Sequence, residues 1–423
     1  MSNKSAFSFE IYKFPFGFTT FAIFIPIIVH LLGFEIATFF HFIVFSTTIF
    51  FVTRKSRFNA VLFLFVVTWF LILCLHFFFK GDLQVFGYMQ SFFYAVCFYA
   101  LFSSNGRPLS GKTLLQHQYR IYGLLFITLV VEMLANVLRI EHIFVALFSE
   151  NSVGKSYQIL TSRILDMVVG YNLTSLNSIF FGPQSASIVI FMCLLFYNPT
   201  DKLGSRKYLL RFLLCVLLFV ISNTMTVTIL FIIFLLHFIF SSNNSFLNKP
   251  LYKITITTIL FFTGPAIIAI FFGALQADKY LDIYLYKWTQ PVKDLSLLSS
   301  KEFWFGISPD SSLSSYTDSW EFGAIQSVYL TGIMPIVFLL ILLIYLLVRL
   351  IFLRKNAIVY MSENSTLLYQ SARLGIFIIG FCFMSLIHYA AIFSTGFFQL
   401  IGLHIAIAIY SMDQISNVSH YKS

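Results

Sequence analysis

Three basic side chains that could hold an anion lie close together in the sequence: Arg139, Lys155 and Arg163. Arginine suits phosphate because its guanidinium group is permanently charged and its N–H donors form a fork. Arg163 could equally well pair with Asp166, and Arg139 could equally well pair with Glu141 or serve as an anchor at the membrane interface. The three cations therefore predict a phosphate-binding site, with charge pairing as the alternative.

A helix start downstream of these cations could receive the same anion. The stretch SIFFGPQSASIVIF (178–191) opens an apolar run with a small polar segment that contains Pro183 and Gln184. Proline is favoured at the first helical position because its missing N–H would have had no intrahelical partner there. The free N–H groups and positive dipole end of such a helix suit a negative charge. We therefore expect a helix to begin at Pro183 and to present its first turn to an anion.

Acidic residues near position 320 could supply a general base. Asp310, Asp318 and Glu321 lie in one polar segment, with Tyr316 among them. A carboxylate can take a proton from a sugar hydroxyl as the hydroxyl oxygen attacks. Glu321 is the preferred candidate, since it lies where the polar segment rejoins an apolar run. The alternative for each acid is a solvated loop residue.

Aromatic and basic residues alternate ahead of these acids. The stretch ADKYLDIYLYKWTQPVK places Tyr280, Tyr284 and Trp288 at four-residue spacing and interleaves them with Lys279 and Lys287. Tyr and Trp are common at any membrane interface, so the aromatic residues alone do not define a site. Their alternation with cations favours a functional segment over a solvated face.

One further acid lies inside an apolar run. Glu132 precedes Arg139 by seven residues, so the two share a face of a helix. An ionisable residue at membrane depth is either functional or paired within the helix bundle. A structural ion pair and a catalytic acid are equally good interpretations of Glu132.

The elements that must position these residues are membrane helices. Of the 423 residues 59% are hydrophobic and 10% are charged, and the mean hydropathy of +0.87 excludes a soluble globular protein. Twelve apolar runs are centred near residues 24, 44, 68, 95, 129, 189, 214, 232, 262, 340, 384 and 403. Ser222, Asn223 and Thr224 separate two short runs and predict a tight hairpin, with one long bent helix as the alternative. The sequence therefore predicts an all-α polytopic membrane protein with about twelve transmembrane helices in a single domain, residues 1–423.

The distribution of basic residues orients these helices. With the N-terminus in the cytoplasm, nineteen of the 27 lysines and arginines fall on inner segments and eight on outer ones. This bias accounts for the net charge of +10, so nucleic-acid binding is not needed to explain it. Two outer loops, at about 139–181 and about 276–320, are long enough to favour a functional role over capping at the lipid headgroups.

Several other chemistries are disfavoured. All five cysteines fall in apolar runs, which predicts small buried side chains and neither a disulfide framework nor a metal-ligand pair. Gly106, Gly111, Lys112 and Thr113 match the letters of a nucleotide phosphate loop, but no strand is expected before them. We therefore expect no nucleotide site, no metal and no cofactor.

Three stretches carry a resemblance to a known family: IFFGPQSASIVIFMCLLFY (179–197), LLFVISNTMTVTILFIIFLL (217–236) and FGISPDSSLSSYTDSWEFGAIQSVYLTGIMPIVFLLIL (305–342). Together they resemble the O-antigen polymerase and ligase superfamily, in particular its Wzy-type polymerases. In that family a glycine- and proline-led helix follows the first large periplasmic loop, and a Ser/Thr-rich hairpin comes next. After the second loop, an acidic or polar residue precedes a glycine by about eleven positions, as Glu321 precedes Gly332 here.

The resemblance implies a glycosyltransferase of the bacterial inner membrane, with both termini in the cytoplasm. It would join undecaprenyl-pyrophosphate-linked oligosaccharide repeat units of an O-antigen or capsule at the periplasmic face. Positive groups would stabilise the departing pyrophosphate, an acid would deprotonate the acceptor hydroxyl, and aromatic rings would stack on sugars. The implied partners are this lipid-linked oligosaccharide, the bilayer, a chain-length regulator and a flippase.

The resemblance assigns a role to each candidate residue. The catalytic candidates are Glu321, Asp318 and Arg163. The substrate-binding candidates are Arg139, Lys155, Pro183, Gln184, Ser222, Asn223, Thr224, Lys279, Lys287, Trp288 and Tyr316.

Two other activities and one structural role remain as alternatives. A ligase of the same superfamily would pass finished glycan to another acceptor, and no residue separates it from a polymerase. A lipid-linked oligosaccharide flippase would be expected to have a charged central cavity and short outer loops, unlike this chain. A scaffolding membrane protein is the third alternative.

Overall fold

The structure of the chain is a computed structural model, in which nine α-helices have both ends defined and residues 17–25 are also helical. The described residues are 17–25, 43, 46, 59–80, 90–103, 109–138, 140, 183–196, 210–211, 213–215, 217–218, 289, 293, 295–307, 323–360, 363–385 and 398–420. The nine helices are α1 (Ala60–Lys80), α2 (Gln90–Ser103), α3 (Gly111–Val137), α4 (Pro183–Phe196), α5 (Ser300–Phe305), α6 (Gly323–Thr331), α7 (Ile333–Tyr360), α8 (Glu363–Ser385) and α9 (Phe398–His420). A single 3₁₀ turn, Leu295–Leu297, precedes α5, and no strand occurs over these ranges. The predicted all-helical class is confirmed for this part of the chain.

Three of the described helices are long and apolar enough to cross a bilayer: Ala60–Phe79, Gly111–Val137 and Ile333–Leu353. Each turns large apolar side chains outward, for example Leu64 at 63% and Phe352 at 62% exposure. A soluble protein rarely exposes continuous apolar faces of this kind, whereas lipid tails cover them at no cost. A helical membrane protein is therefore supported, while the total of twelve spans stays a prediction.

The chain divides into two compact units. Unit 1 comprises Met1–Arg120 and Trp288–Ser423, and unit 2 comprises Ile121–Lys287. The boundary falls within α3, so the first part of that helix belongs to unit 1 and the remainder to unit 2. The single domain that the sequence predicted stays a prediction.

Unit 1 is built around α9, which contacts α2, α7 and α8. The closest approach is at Gly402, where an added β-carbon would lie 2.5 Å from the carbonyl oxygen of Ser91 on α2. Small residues let membrane helices approach closely, and this allows their backbones to pack without a hydrophobic driving force. The α2–α9 pair is therefore a tight core around which α1, α7 and α8 pack.

Side-chain contacts show that the helices of unit 1 alternate in direction. At one end Asn59 lies beside Asp413, and Gly111 donates its N–H to Asn364. At the other end His76 lies beside Thr331. Arg349 acts electrostatically on Asp413 at the first end, which we therefore call the basic end, and we call the second the anchor end. Helices α1, α3 and α8 begin at the basic end, whereas α2, α7 and α9 run towards it.

Three of the phosphate-loop letters, Gly111, Lys112 and Thr113, lie at the start of α3, where the N–H groups of Gly111 and Thr113 are already bound. The N–H of Gly111 bonds to the side chain of Asn364, and the N–H of Thr113 bonds to Ser110 Oγ at 3.1 Å. The Leu109 N–H donates to the Tyr410 hydroxyl at 2.6 Å. A helix, α2, precedes this segment in place of the strand that a phosphate loop requires. The rejection of a nucleotide site there stays a prediction.

In unit 2 the second part of α3 and helix α4 are joined by aromatic and sulfur contacts. The rings of Tyr122 and Phe196 stack with centroids 4.2 Å apart. Cys193 Sγ lies 3.7 Å from the Tyr122 carbonyl oxygen, and the free thiol of Cys215 lies beside Cys193. Both thiols are fully buried, as the sequence predicted for cysteines in apolar runs, whereas Cys74 on α1 is only half-buried.

Candidate functional site

Most of the predicted site residues lie outside the described part of the chain. Only Pro183 and Gln184 fall within it, and there the helix backbone alone is described. The residues outside are Arg139, Lys155, Arg163, Ser222, Asn223, Thr224, Lys279, Lys287, Trp288, Tyr316, Asp318 and Glu321. Their roles stay predictions, and so does the turn at 222–224.

Helix α4 begins at Pro183, so the predicted helix start is confirmed. Beyond its first turn α4 is buried on every side, with Ile188 and Phe191 fully enclosed in unit 2. A helix enclosed in this way is held firmly, which fixes the direction of its N-terminus. Anion binding at that terminus stays a prediction.

Glu132 is buried in unit 2 with 5% of its surface exposed. Asn136, one turn further along α3, is buried to the same degree and lies on the same face. The structure thus agrees that Glu132 is an interior acid. Its proposed partner Arg139 lies outside the described residues, so the choice between ion pair and catalytic acid stays open.

The structure describes residues 295–307, in the middle of the predicted second loop, and there the short helix α5 is firmly capped. Ser299 accepts a hydrogen bond from the Glu302 N–H at 3.3 Å, and Glu302 Oε2 accepts one from the Ser299 N–H at 2.9 Å. This reciprocal capping box satisfies two N-terminal donors of a helix that has only six residues. A loop segment capped in this way holds its shape despite its exposure to solvent.

Aromatic contacts attach α5 to the end of α1. Phe305 stacks on Phe79 with ring centroids 4.5 Å apart, and the Lys301 ammonium lies 5.8 Å from the centroid of the Phe79 ring. The Phe305 ring also meets the edge of His76 at 6.4 Å. Stacked rings and a cation over a ring each add to simple area burial. The loop helix is therefore fixed to a helix that is apolar enough to cross the membrane.

A glycine between α6 and α7 allows the backbone of α5 to pack closely against it. Gly332 has φ of +76°, a left-handed conformation that ends α6, and its N–H donates to the Val328 carbonyl at 2.7 Å. A β-carbon at this position would overlap the backbone carbonyl of Trp304. Glycine is therefore required here for two independent reasons, the backbone conformation and the close approach of α5.

A buried histidine completes the last turn of α6. His76 Nε2 lies 2.9 Å from the carbonyl oxygen of Thr331, so this ring nitrogen carries the proton and donates it. Thr331 in turn donates its hydroxyl to the Ser327 carbonyl at 2.8 Å. Both His76 and Thr331 are buried. The C-terminal carbonyl of α6 is thus satisfied by a side chain from α1, as a buried helix end requires.

The chain on either side of the acidic segment is joined in one small cluster. Ile307 donates its N–H to the Tyr329 carbonyl at 2.7 Å, and Ile307, Ile325 and Tyr329 form a buried cluster supported by Leu295 and Leu298. We call this whole arrangement the loop anchor: residues 295–307 together with His76, Phe79, Ile325, Tyr329 and Gly332. It holds both ends of the segment that carries Asp310, Tyr316, Asp318 and Glu321.

The loop anchor is a positioning device, and its described residues supply no evident acid or nucleophile. Glu302 is committed to the helix cap, and His76 to a backbone carbonyl. Among the described residues no three His, Cys, Asp or Glu side chains gather as metal ligands. On its surface the anchor presents Trp304, which is 48% exposed, and the exposed Lys301. The sequence analysis did not identify His76, although a lone histidine near the end of an apolar helix indicates a side chain that needs a hydrogen-bond partner.

Comparison with known proteins returned no relative: no protein-family model, no curated protein and no solved structure matches the chain.

Proposed function

We propose that the chain is a surface-polysaccharide polymerase of the bacterial inner membrane. In this proposal it joins undecaprenyl-pyrophosphate-linked repeat units of an O-antigen or capsule at the periplasmic face, with both termini in the cytoplasm. Three features support it. The first two are the exposed apolar faces of the helices and the excess of lysines and arginines in the predicted inner segments. The third is the resemblance carried by residues 179–197, 217–236 and 305–342.

The observation that carries the proposal is the loop anchor. A glycosyltransferase whose donor stays in the bilayer must hold its acceptor-activating groups at a fixed height above the lipid surface. The anchor fixes the segment before Asp310 and the helix after Glu321 to the same helix end, through Gly332 and Phe79. A loop that served only to cover the bundle would not need a glycine fitted against its backbone.

The reaction in this proposal is a substitution at the first sugar of the donor chain. An acceptor hydroxyl oxygen forms the new glycosidic bond while the bond from carbon to pyrophosphate oxygen breaks. Glu321 or Asp318 takes the hydroxyl proton, and undecaprenyl pyrophosphate leaves with its negative charge. Arg163, with Arg139 or Lys155, stabilises that charge as it develops.

Complementation of a strain that lacks this gene tests the proposal. We expect wild-type protein to restore long-chain polysaccharide on a gel, and Glu321→Gln and Arg163→Ala to leave only single repeat units. Glu302→Gln is the matched control, because it also replaces an acid of the second loop by its amide but preserves the capping box. Normal chains from both catalytic variants would remove these two residues from the mechanism.

The glycan phenotype of the deletion strain separates the alternatives. Single-repeat products support a polymerase, unattached long chains would instead show a ligase, and repeat units retained on the inner leaflet would show a flippase. Reporter fusions at Lys293 and Lys301 should lie on the periplasmic side. A cytoplasmic signal from either fusion would overturn the proposal.

A further inference from the structure

The short loop helix α5 meets α1 where the apolar span of α1 ends. That span is Ala60–Phe79, and the Lys301 ammonium on α5 lies 5.8 Å from the centroid of the Phe79 ring. The Phe305 ring stacks on the same ring with centroids 4.5 Å apart. A spanning helix leaves the hydrocarbon core where its apolar run ends. Lys301 therefore lies at the height of the lipid headgroups.

The surface at this height is exposed and combines apolar rings with a positive charge. Phe78 is 81% exposed, and its ring meets that of Phe79 edge to face with centroids 5.4 Å apart. Lys301 and Trp304 are also exposed, and their three-residue spacing makes them neighbours on the surface of α5. We call Phe78, Phe79, Lys301 and Trp304 the interfacial surface. Its ring and cation contacts hold apolar and cationic groups side by side.

The Lys301 ammonium can still bind an anion. An ammonium group carries three N–H donors, and the face of an aromatic ring occupies only one side of it. The adjacent carboxylate, Glu302, accepts hydrogen bonds instead from the N–H and the hydroxyl of Ser299, at 2.9 and 2.8 Å. Consecutive residues of a helix do not face each other. Lys301 thus offers a charged donor to a group that approaches from outside the protein.

An apolar stripe on α1 leads to this donor. Four exposed side chains share one face of the helix, because successive members are seven, four and three residues apart. They are Leu64, Leu71, Leu75 and Phe78. At about 1.5 Å per residue the stripe is about 21 Å long, whereas one leaflet contributes only about 15 Å of hydrocarbon. An acyl chain can therefore follow the stripe through the full depth of its leaflet while its phosphate lies beside Lys301.

A phospholipid with net negative charge uses both parts of this site. Inorganic phosphate could accept a hydrogen bond from Lys301 but would leave the rings and the stripe uncovered, and apolar surface of this extent is rarely left in water. A zwitterionic headgroup carries its own cation near the phosphate, and that cation repels the lysine. An anionic headgroup has no such cation, so it attracts a lysine at the membrane surface more strongly.

We propose that the interfacial surface binds an anionic phospholipid. The lipid phosphate accepts a hydrogen bond from the Lys301 ammonium, and one acyl chain lies along the stripe that ends at Phe78. The Trp304 ring lies at the level of the headgroups, where tryptophan is enriched in membrane proteins. This inference is independent of the proposed polymerase activity and of the side of the membrane on which the loop lies.

Quenching of Trp304 fluorescence by brominated lipids tests the proposal. The full-length chain is reconstituted in phosphatidylcholine bilayers that contain increasing fractions of phosphatidylglycerol or phosphatidylcholine, each brominated near the headgroup end of its acyl chains. Trp304 is one of four tryptophans, so its signal is the difference between the wild type and Trp304→Phe. We expect half-quenching at an about fivefold lower fraction of phosphatidylglycerol, as one lysine at an anionic surface implies. Equal quenching by the two lipids, or none by either, would overturn the proposal.

Two matched lysine variants show whether Lys301 is the donor. Lys301→Gln should abolish the preference for phosphatidylglycerol, whereas Lys293→Gln should preserve it. Lys293 is the control because it is also an exposed lysine of the second loop, and its described hydrogen bond, from the Ser296 hydroxyl at 2.7 Å, uses only the backbone carbonyl. Its substitution removes the same charge. If both variants lose the preference equally, or if neither does, the site at Lys301 is refuted.

Inorganic phosphate distinguishes a lipid site from a site for any phosphate group. We expect added phosphate to leave the preference of the wild type as it is in sodium chloride of the same ionic strength, because the free anion gains nothing from the apolar stripe. If phosphate alone abolishes the preference, the surface binds the free anion and the lipid proposal is overturned. The comparison of lipids on the wild type decides the matter should Lys301→Gln fail to fold.

Discussion

The two ends of unit 1 are fastened by different physical means. At the anchor end, backbone meets backbone: Gly332 lies against Trp304, and the Ile307 N–H bonds to the Tyr329 carbonyl. At the basic end, side chains meet: Asn59 and Tyr99 converge on Asp413. Backbone contacts of the first kind admit no variation in side chain at the contact point. Residues in side-chain contacts of the second kind can be substituted, but each buried donor that loses its acceptor destabilises the fold.

The kind of contact at each end of unit 1 fits the elements that the end holds together. The anchor end must set the position of a loop, and a glycine with backbone packed against it defines that position with little freedom. The basic end joins α1, α2 and α9 through side-chain hydrogen bonds to Asp413. We therefore expect substitutions to act through shape at the anchor end and through lost hydrogen bonds at the basic end.

The largest effect should come from Gly332→Ala. An alanine there must adopt a left-handed φ, which costs about 1–2 kcal/mol, and its methyl group would displace α5. We expect a loss of about 3 kcal/mol in unfolding free energy and increased protease cleavage near residue 300. Gly380→Ala is the control, because its β-carbon would meet only Leu343 Cδ1, at 3.9 Å. Equal stability of both variants would contradict the close packing at Gly332.

Asp413→Ala should be next in size. It leaves the Asn59 amide and the Tyr99 hydroxyl without their acceptor, at about 1–3 kcal/mol for the buried donors together. Thermal unfolding in detergent measures the change. Gln414→Ala, on the same helix but half-exposed, should be nearly neutral. If the Gln414 variant is as unstable as the Asp413 variant, the loss of stability comes from a general effect on α9 and not from the lost hydrogen bonds to Asp413.

A smaller effect should follow Tyr99→Phe, which removes one donor to Asp413 and keeps the ring against Tyr410. We expect a loss of about 1 kcal/mol. Combined with Asp413→Ala, its effect should be less than additive, since the hydrogen bond is lost only once. Full additivity in the double-mutant cycle would mean that Tyr99 and Asp413 stabilise the protein separately.

The smallest effect should be local to α5. Ser299→Ala removes the cap on Glu302 and should cost about 0.5–1 kcal/mol, seen as faster amide hydrogen exchange across Ser300–Phe305. Ser300→Ala, at the first helical position of α5, should leave exchange unchanged. Equal exchange in the two variants would show that Phe79 and Gly332 hold α5 without help from its cap.

Local patterns predicted the features that depend on neighbouring residues. The helix start at Pro183 follows from a missing N–H, and the apolar faces of α1 and α7 follow from composition alone. The eleven-residue spacing from Glu321 drew attention to Gly332 but could not give the reason for glycine. That reason is the backbone of Trp304, which tertiary packing brings to it.

Sequence patterns could not predict the hydrogen bonds that Asn59 and Tyr99 donate to Asp413. Asp413 pairs with residues 354 and 314 positions away, so no spacing rule connects them. The contact of His76 with Thr331 spans 255 positions. Each of these polar residues looks isolated in an apolar run, and only the alternation of helix directions brings it to its partner. The roles of loop residues outside the described ranges likewise stay predictions, because spacing along the chain does not give their tertiary contacts.

The cluster of Ile307, Ile325 and Tyr329 has a consequence for how such a chain can diversify. Because the chain enters and leaves the acidic segment at a single hydrophobic contact, the segment between can be exchanged as a cassette while the frame stays unchanged. Closing a longer cassette costs only about 0.6 kcal/mol for each doubling of its length. If the proposed polymerase function holds, selectivity for a new sugar would be acquired by exchanging this one stretch of sequence, with no repacking of the helices that carry it.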